Sequence, residues 1–87
     1  MREFEIKPEL EGKLIKLAKR DKPLYNAAMK KIAEILGSID IGHYKNLRYN
    51  MKASKRVHIG HFVLVFSYNK DFISFEDFDH HDNVYGK

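Results

Sequence analysis

Two amphipathic helical segments lie almost end to end in the first half of the chain, and this arrangement constrains the fold more than any other feature. Residues 9–20 place their apolar side chains on one helical stripe. After a break at residues 21–23, the same spacing continues over residues 25–36, and Gly37 supplies a C-terminal cap. Helices joined by so short a break form an antiparallel hairpin, and another part of the chain has to cover its apolar stripe.

The second half of the chain predicts a sheet that supplies this cover. Residues 56–59, 62–68 and 72–78 are rich in Val, Ile and aromatic side chains, and turn residues separate them, so they predict a three-stranded antiparallel meander. Residues 2–7 alternate apolar and polar side chains up to Pro8, which predicts an edge strand. The predicted fold is α+β in the order β-α-α-β-β-β, with the helical hairpin on one face and the other face left for function.

Length and composition fit a small globular domain. The chain has 87 residues, of which 44% are hydrophobic, so we expect a single domain over residues 1–87. It has no cysteine, its longest apolar run is residues 62–66, and it has no Gly-rich phosphate loop. We therefore expect a cytoplasmic protein with no membrane contact and no nucleoside-triphosphate chemistry.

Positive charge is concentrated in the middle of the chain. The formal net charge is +4, yet residues 41–70 contain no Asp or Glu, and acidic residues return only after them. Such a stretch fits a phosphate-binding face and equally a solvated basic surface, so charge alone leaves both interpretations open. Its cations and histidines are Lys45, Arg48, Lys52, Lys55, Arg56, Lys70, His43, His58 and His61.

Alternation in the first strand of the predicted meander places a cation beside a titratable group. Val57 and Ile59 face the core, so Arg56 and His58 share the opposite, exposed face. The guanidinium groups of Arg56 and Arg48 match phosphate oxygens with paired hydrogen bonds, and nearby lysines add charge. A strand histidine is more often a surface or packing residue, but imidazole transfers protons near neutral pH, so His58 is a candidate. Interleaved tyrosines suit single-stranded RNA.

The segment Asp79-His80-His81-Asp82 contains metal-ligand side chains, but its pattern argues against a metal site. In an extended segment His80 and His81 point to opposite faces, and the chain has no Cys and no His-x-x-x-His pair to complete a tetrahedral set. The alternative is acid–base chemistry, with one histidine facing the basic surface and Asp79 or Asp82 orienting it. Tyr85 could then stack on an RNA base.

Four segments, taken together, resemble the RelE/ParE superfamily of toxins. Their order and spacing are similar to those of RelE-type toxins close to the YafQ branch, including archaeal members, over nearly the whole chain. The fold that this resemblance implies is the β-α-α-β-β-β arrangement. The four segments are residues 43–48 (HYKNLR), 56–59 (RVHI), 64–68 (LVFSY) and 80–85 (HHDNVY).

The resemblance implies a toxin of a type II toxin-antitoxin system. Such a toxin is a ribosome-dependent endoribonuclease that cuts messenger RNA in the ribosomal A site. A ribose 2′-hydroxyl attacks the adjacent phosphate, and translation stops. The resemblance implies no metal, no organic cofactor and no small-molecule ligand. The implied partners are the ribosome, the mRNA and an acidic RelB-like antitoxin that docks on exposed apolar surface of the helices.

The resemblance also assigns roles to individual residues. His81 matches the catalytic histidine of the YafQ branch, and Tyr85 matches the aromatic residue four positions later. His58 and His43 match further histidines of that site, and which histidine is the acid and which the base stays open. The predicted catalytic residues are His81, His58, Arg56, Arg48 and Tyr85, and the predicted RNA contacts are His43, Lys45, Lys52 and Lys55.

Two other functions fit the same fold or the same charge. A ParE-like toxin binds gyrase and cleaves nothing, and fold alone does not separate it from a nuclease. A small RNA- or DNA-binding regulator would bind phosphates through the basic face without chemistry, and its binding would survive the loss of His81. The histidines around the predicted site favour the nuclease.

Overall fold

The computed structural model of the chain describes residues 3–38, 45–46, 54–69 and 72–85, with only the backbone described at 45–46. Among the predicted site residues, His43, Arg48 and Lys52 lie outside these ranges. The elements, in chain order, are β1 (Glu3–Ile6), α1 (Pro8–Arg20), α2 (Lys22–Gly37), β2 (Lys45–Asn46), β3 (Ser54–Ile59), β4 (Phe62–Asn69), β5 (Phe72–His80) and α3 (His81–Tyr85).

α1 begins and ends where the sequence provides a proline and charges, and α2 begins at a capping residue. The C-cap of α2 is Ser38, because Gly37, the predicted cap, is itself the last helical residue. Pro8 stands at the start of α1, whose first turn is acidic and whose last turn is basic, as the helix dipole favours. The N–H of Asp21 donates to the carbonyl of Leu17, and the Asp21 carboxylate accepts the N–H of Leu24 at 3.1 Å. Asp21 thus ends α1 and caps α2, so the predicted three-residue break is one residue. No helix within the described ranges is long and apolar enough to span a membrane.

The strands form one sheet in the order β1-β5-β4-β3-β2. β1 runs parallel to β5 at one edge, whereas the other neighbouring strands pair antiparallel. The predicted edge strand and the predicted meander are both confirmed. The short strand β2 is an addition that the sequence pattern does not predict, and its backbone pairs Lys45 with Arg56 at the other edge.

A register shift between β4 and β5 decides which side chains of β5 reach the core. The shift falls between Val65 and Phe66, and it leaves Glu76 as an extra residue on β5. Because of this residue, Phe75 and Phe78 both lie in the core although they are three positions apart.

The core lies between α1, α2 and one face of the sheet. The apolar stripes predicted for both helices supply its helical half, and alternate residues of β4 and β5 supply the other half. Burial of this apolar surface is the main term that stabilises the fold. Its buried members are Leu10, Leu14, Ala28, Ile32, Ile35, Leu36, Leu64, Phe66, Ile73, Phe75 and Phe78.

Candidate active site

The face of the sheet opposite the helices carries a cation and an imidazole from β3. Val57 and Ile59 pack against the core, and the residues between them point the other way. His58 is exposed on this second face, and Arg56 is half-buried there. The predicted placement of Arg56 and His58 on one shared face is confirmed.

The end of the chain folds back over this face as α3, where the sequence predicts an extended segment. The backbone N–H of His81 donates to the carbonyl of His61 at 2.8 Å, so the turn between β3 and β4 holds the first residue of α3. α3 also contacts β4 and β5. The turn of helix places His81 and Tyr85, four positions apart, on the same side.

Four predicted catalytic side chains meet where α3 crosses β3. The rings of His58 and His81 stack with centroids 5.5 Å apart and an interplanar angle of 30°. The Tyr85 ring lies 4.6 Å from His81 and 6.2 Å from His58. The Cζ of Arg56 lies 5.3 Å from the Tyr85 ring centroid, within cation–π range. We call this group, Arg56, His58, His81 and Tyr85, the Arg56 cluster.

Tyr85 is held in the Arg56 cluster by its ring, and its hydroxyl points into the protein, away from solvent. The hydroxyl oxygen is buried and has no hydrogen-bond partner among the described residues. Burial raises the pKa of Tyr85, while the positive charge of Arg56 acts in the opposite direction. The phenol therefore stays neutral at physiological pH.

Ion pairs and hydrogen bonds around Asp79 anchor α3 to the rest of the molecule. The Asp79 carboxylate accepts the side-chain amide of Asn83 at 2.9 Å and the N–H of His80 at 2.7 Å. The ammonium of Lys13, on α1, lies 3.2 Å from Asp79 and 2.6 Å from Asp77. Asp79 thus links α1 to α3, and its partners among the described residues include no imidazole. The Asp82 carboxylate, the other candidate for orienting a histidine, lies 3.7 Å from Nδ1 of His81.

The pKa of Asp79 is held below its usual value by this network. The hydrogen bond from Asn83 is the largest cause, burial opposes it, and the His80 N–H and Lys13 add to it. For Lys13, burial lowers the pKa but the two carboxylates raise it by more. Both shifts favour the charged forms, so the network is strongest where Asp79 is ionised.

Replacing Asp79 with asparagine is expected to lower the free energy of unfolding by about 1 kcal/mol at neutral pH. Because the folded-state pKa is lowered, the stabilisation is present above the usual Asp value of 3.8 and is lost as pH falls through the lower folded value. Urea unfolding at neutral and acidic pH measures it. Asp82→Asn is the matched control, since that side chain is 84% exposed. Equal losses in the two variants, or a loss that persists in acid, would contradict this role.

The other two histidines of this region lie apart from the Arg56 cluster. The rings of His61 and His80 stack on each other with centroids 6.2 Å apart, and His80 also contacts the core residue Phe62 edge-on. His80 and His81 therefore point to different sides, as the sequence predicts, although His81 begins a helix. Within the described ranges, no three His, Cys, Asp or Glu side chains are grouped so that they could hold a metal ion.

Gly60 is the residue that allows the turn holding His81. Its φ is +61°, in the left-handed region, and a Cβ there would meet no atom within 4 Å. Gly60→Ala is expected to lower the free energy of unfolding by about 1 to 2 kcal/mol through backbone strain alone. Gly60→Asn should lose less, because Asn tolerates this conformation. Urea unfolding tests this, with Gly37→Ala as a control that should not destabilise. Equal stability of Gly60→Ala and wild type would show that the strain is absent.

Lys55, a predicted RNA contact, lies on a different face of the sheet from Arg56. It is only 8% exposed, it pairs across the sheet with the core residue Phe66, and its Nζ lies 5.8 Å from the Tyr68 ring centroid. Adjacent strand residues point to opposite faces, so Lys55 takes the face of the helices, and its contact with RNA stays a prediction. For Lys45 the structure gives a backbone pairing and no side-chain position.

Sequence reasoning missed the residues that hold α3 in place. Lys13 stands on the polar side of α1, 64 positions before its partner Asp77. No local pattern marks so distant a pair, and a lysine on a solvated helix face is the ordinary case. Asn83 is closer in sequence, four residues after Asp79, but the pair joins the end of β5 to α3, so no helical spacing rule marks it.

Comparison of the sequence with known proteins identifies full-length relatives. The chain is 50% identical, over an alignment of 90 positions, to a protein of Methanocaldococcus jannaschii named "Putative toxin RelE4"; the alignment covers 100% of this chain and 94% of that protein. It is 44% identical over 85 positions to an uncharacterized protein of Methanosarcina mazei, covering 94% and 96% of the two chains. No protein-family model matches the chain.

Comparison of the fold identifies crystal structures of the bacterial protein YafQ. YafQ from E. coli strain BL21(DE3) superposes with a TM-score of 0.66 at 17% identity, covering 99% of this chain and 100% of that one. YafQ in the E. coli DinJ–YafQ complex gives a TM-score of 0.67 at 18% identity, with the same coverage. At these identities the likeness establishes the fold, including the α+β class and element order that the sequence predicts.

Proposed function

The chain belongs to the RelE family of toxins, and we propose from this premise that it is the toxin of a type II toxin-antitoxin system and cleaves messenger RNA on the ribosome. The single observation that carries this proposal is the Arg56 cluster. It joins two imidazoles, a guanidinium and a neutral phenol on an accessible face of the sheet. Cleavage of RNA by its own 2′-hydroxyl needs a base, an acid and a group that stabilises the negative charge developing on the phosphate. The cluster contains a candidate for each of these three roles.

The two histidines are proposed to transfer the protons. One imidazole accepts the proton of the ribose 2′-hydroxyl as its oxygen attacks the adjacent phosphorus. The other donates a proton to the 5′-oxygen as its bond to phosphorus breaks. The products are a 2′,3′-cyclic phosphate and a free 5′-hydroxyl, and the proton balance is zero. With ring centroids 5.5 Å apart, His58 and His81 are close enough to serve one phosphate from two sides.

Arg56 is proposed to bind the phosphate, and Tyr85 is proposed to position the groups around it. Negative charge builds on the phosphorus-bound oxygens during the attack, and a guanidinium can bond two of them at once. Tyr85 keeps Arg56, His58 and His81 in contact with one ring, which fixes their positions relative to one another. The proposed chemistry uses these protein groups and no metal ion.

The proposed partners are the ribosome with its message and an antitoxin protein. The YafQ neighbour is known in a complex with DinJ, and the formal charge of +4 favours an acidic partner here. RNA supplies the 2′-hydroxyl that the proposed reaction consumes, and DNA lacks it. The proposed substrate is therefore RNA in the ribosomal A site.

Translation of a defined message on purified ribosomes tests the proposal, with cleavage mapped by primer extension. Cuts at A-site codons with wild-type protein, and none with His81→Ala, are the expected result. Two further measurements separate the alternatives. Inhibition of gyrase supercoiling without RNA cleavage would indicate a ParE-like toxin. Salt-sensitive RNA binding without products, unchanged in His81→Ala, would indicate a regulator.

A further inference from the structure

α3 carries two members of the Arg56 cluster but has little of its own to hold it in place. It is a helix of five residues, too short to be stable in isolation, and none of its residues is buried. His81 and Tyr85 stand at its two ends, so a shift of α3 would separate these rings from His58. Its position therefore depends on a few specific polar contacts.

The hydrogen bonds that tie α3 to the sheet include one at its start and one in its middle. At the start, the backbone N–H of His81 donates to the carbonyl of His61 at 2.8 Å. In the middle, the side-chain amide of Asn83 donates to Oδ1 of Asp79 at 2.9 Å. A bond at the start alone does not fix the direction of a helix, so the Asn83 bond determines how α3 lies across the sheet. That bond ends on a carboxylate, whose own position must be fixed.

The Asp79 carboxylate is held on both of its oxygens. Oδ1 accepts the backbone N–H of His80 at 2.7 Å as well as the Asn83 amide, and Oδ2 lies 3.2 Å from Nζ of Lys13. Lys13 is itself held by Asp77 at 2.6 Å. With both oxygens engaged, the carboxylate cannot rotate without breaking a hydrogen bond, so it presents Oδ1 to Asn83 in one direction.

Lys13 connects this network to the rigid part of the molecule. It stands on α1 next to Leu14 and three residues after Leu10, and these two leucines are buried in the core. Packing therefore fixes α1, and Lys13 passes that constraint on to Asp79. The ammonium is not suited to bind a phosphate of RNA, because it faces two carboxylates whose summed charge exceeds its own.

We infer that Lys13, acting through Asp79, is a positioning residue that holds α3, and with it the imidazole of His81, in the Arg56 cluster. The inference rests on the proposed function, which supplies the reaction. Lys13 touches no reacting group, so it acts on how often the two imidazoles face one phosphate together. The paired side chains are 32% to 39% exposed, and such a pair adds little to the stability of the fold. A large loss of rate on its removal would therefore come from geometry.

Single-turnover cleavage on purified ribosomes with Lys13→Met tests the inference. Methionine keeps the length and helix propensity of the side chain but not its charge. The rate at saturating toxin should fall by about 10- to 100-fold, as for a misplaced reacting group, while the toxin concentration that gives half the maximal rate stays unchanged. Lys13→Arg should regain most of the rate, because a guanidinium can bond both carboxylates. A wild-type rate for Lys13→Met, or a change in the half-saturating concentration alone, would overturn the inference.

Two further variants separate the position of α3 from the effect of net charge. Lys16→Met removes the same charge from an exposed site on α1 and should cleave at the wild-type rate. Lys13→Met combined with Asn83→Ala should be about as slow as either single variant, because both residues act through Asp79. An equal loss in Lys16→Met would mean that only net charge matters. Losses that multiply in the double variant would mean that the two residues act independently, and either result would overturn the inference.

NMR contacts in the free protein keep the two proposals separate. In Lys13→Met, nuclear Overhauser effects between the His58 and Tyr85 rings should weaken. Those between the core rings of Phe66 and Phe75 should persist, which would show that the fold is intact. Unchanged His58–Tyr85 effects would refute the positioning role even if the wild type cuts messages. Weakened effects in a protein whose wild type cuts no message would refute the nuclease and leave the anchoring of α3 in place.

Discussion

Replacing His81 with alanine is expected to slow message cleavage on the ribosome by about 10²- to 10⁴-fold, the usual contribution of one proton-transfer group. The side chain is 48% exposed, so the loss should come from chemistry and not from unfolding. Its ring contacts His58 and Tyr85, so its removal takes one of two imidazoles from the Arg56 cluster. Single-turnover cleavage with saturating toxin measures the chemical step directly.

His80→Ala is the matched control for this variant. The two histidines are adjacent and similarly exposed, at 43% for His80 and 48% for His81, but His80 faces His61 and Phe62. Its loss should change the cleavage rate by less than about threefold, since it supplies no group to the reacting phosphate. Equal losses in the two variants would show that the region matters only as structure, and an active His81→Ala would remove that residue from the mechanism.

Replacing Arg56 with alanine is expected to lower the rate of the chemical step by about 10²- to 10³-fold, as for loss of one donor to a developing negative charge. Arg56→Lys should recover part of this loss, because the charge remains but the paired hydrogen bonds do not. The same single-turnover assay measures both variants. A wild-type rate for Arg56→Ala would exclude its role at the phosphate.

Lys30→Ala is the control for the lost charge. Lys30 is exposed on α2, and its removal changes the net charge of the protein by the same amount. If Arg56 acted only by attracting RNA, both variants would weaken binding, and the rate at saturating toxin would be unchanged. A fall in that rate for Arg56→Ala alone supports a role in the transition state.

The two β3 residues of the Arg56 cluster could be placed from the sequence, because the alternation of side chains along a strand depends only on neighbouring residues. Alternation along β3 separates Val57 and Ile59 from Arg56 and His58 without knowledge of the rest of the fold. The same rule places Lys55 on the core face, a direction that the clustering of lysines by charge along the sequence does not predict. A lysine can bury its long stem beside Tyr68, which composition does not reveal.

The α3 half of the cluster depends on distant parts of the chain. A five-residue helix is too short to produce an apolar repeat, and isolated helices of this length are unstable. The His61 carbonyl and the Lys13–Asp79 pair hold it, and both contacts join residues far apart in sequence. The resemblance to RelE-type toxins could assign roles to His81 and Tyr85, but only the fold brings their rings onto His58.

The partner of β1 was likewise not predictable from its own residues. Its alternating pattern and the following Pro8 predict an edge strand, but they do not choose among the strands it could join. In the structure it pairs in parallel with β5 over Glu3–Ile6. α1, which follows β1 directly, then reaches the second half of β5, where Lys13 meets Asp77 and Asp79. The pairing of β1 with β5 therefore brings Lys13 to the carboxylates that anchor α3.

The most direct test of the central claim is single-turnover cleavage of two messages on purified ribosomes. The messages differ only in a 2′-deoxyribose at the nucleotide whose 2′-hydroxyl would attack at the mapped cut. Cleavage of the all-ribose message with a 2′,3′-cyclic phosphate end, and none at that bond in the deoxy message, is the expected result. Cleavage of both messages at the same bond and rate would contradict attack by the 2′-hydroxyl and the role proposed for the Arg56 cluster.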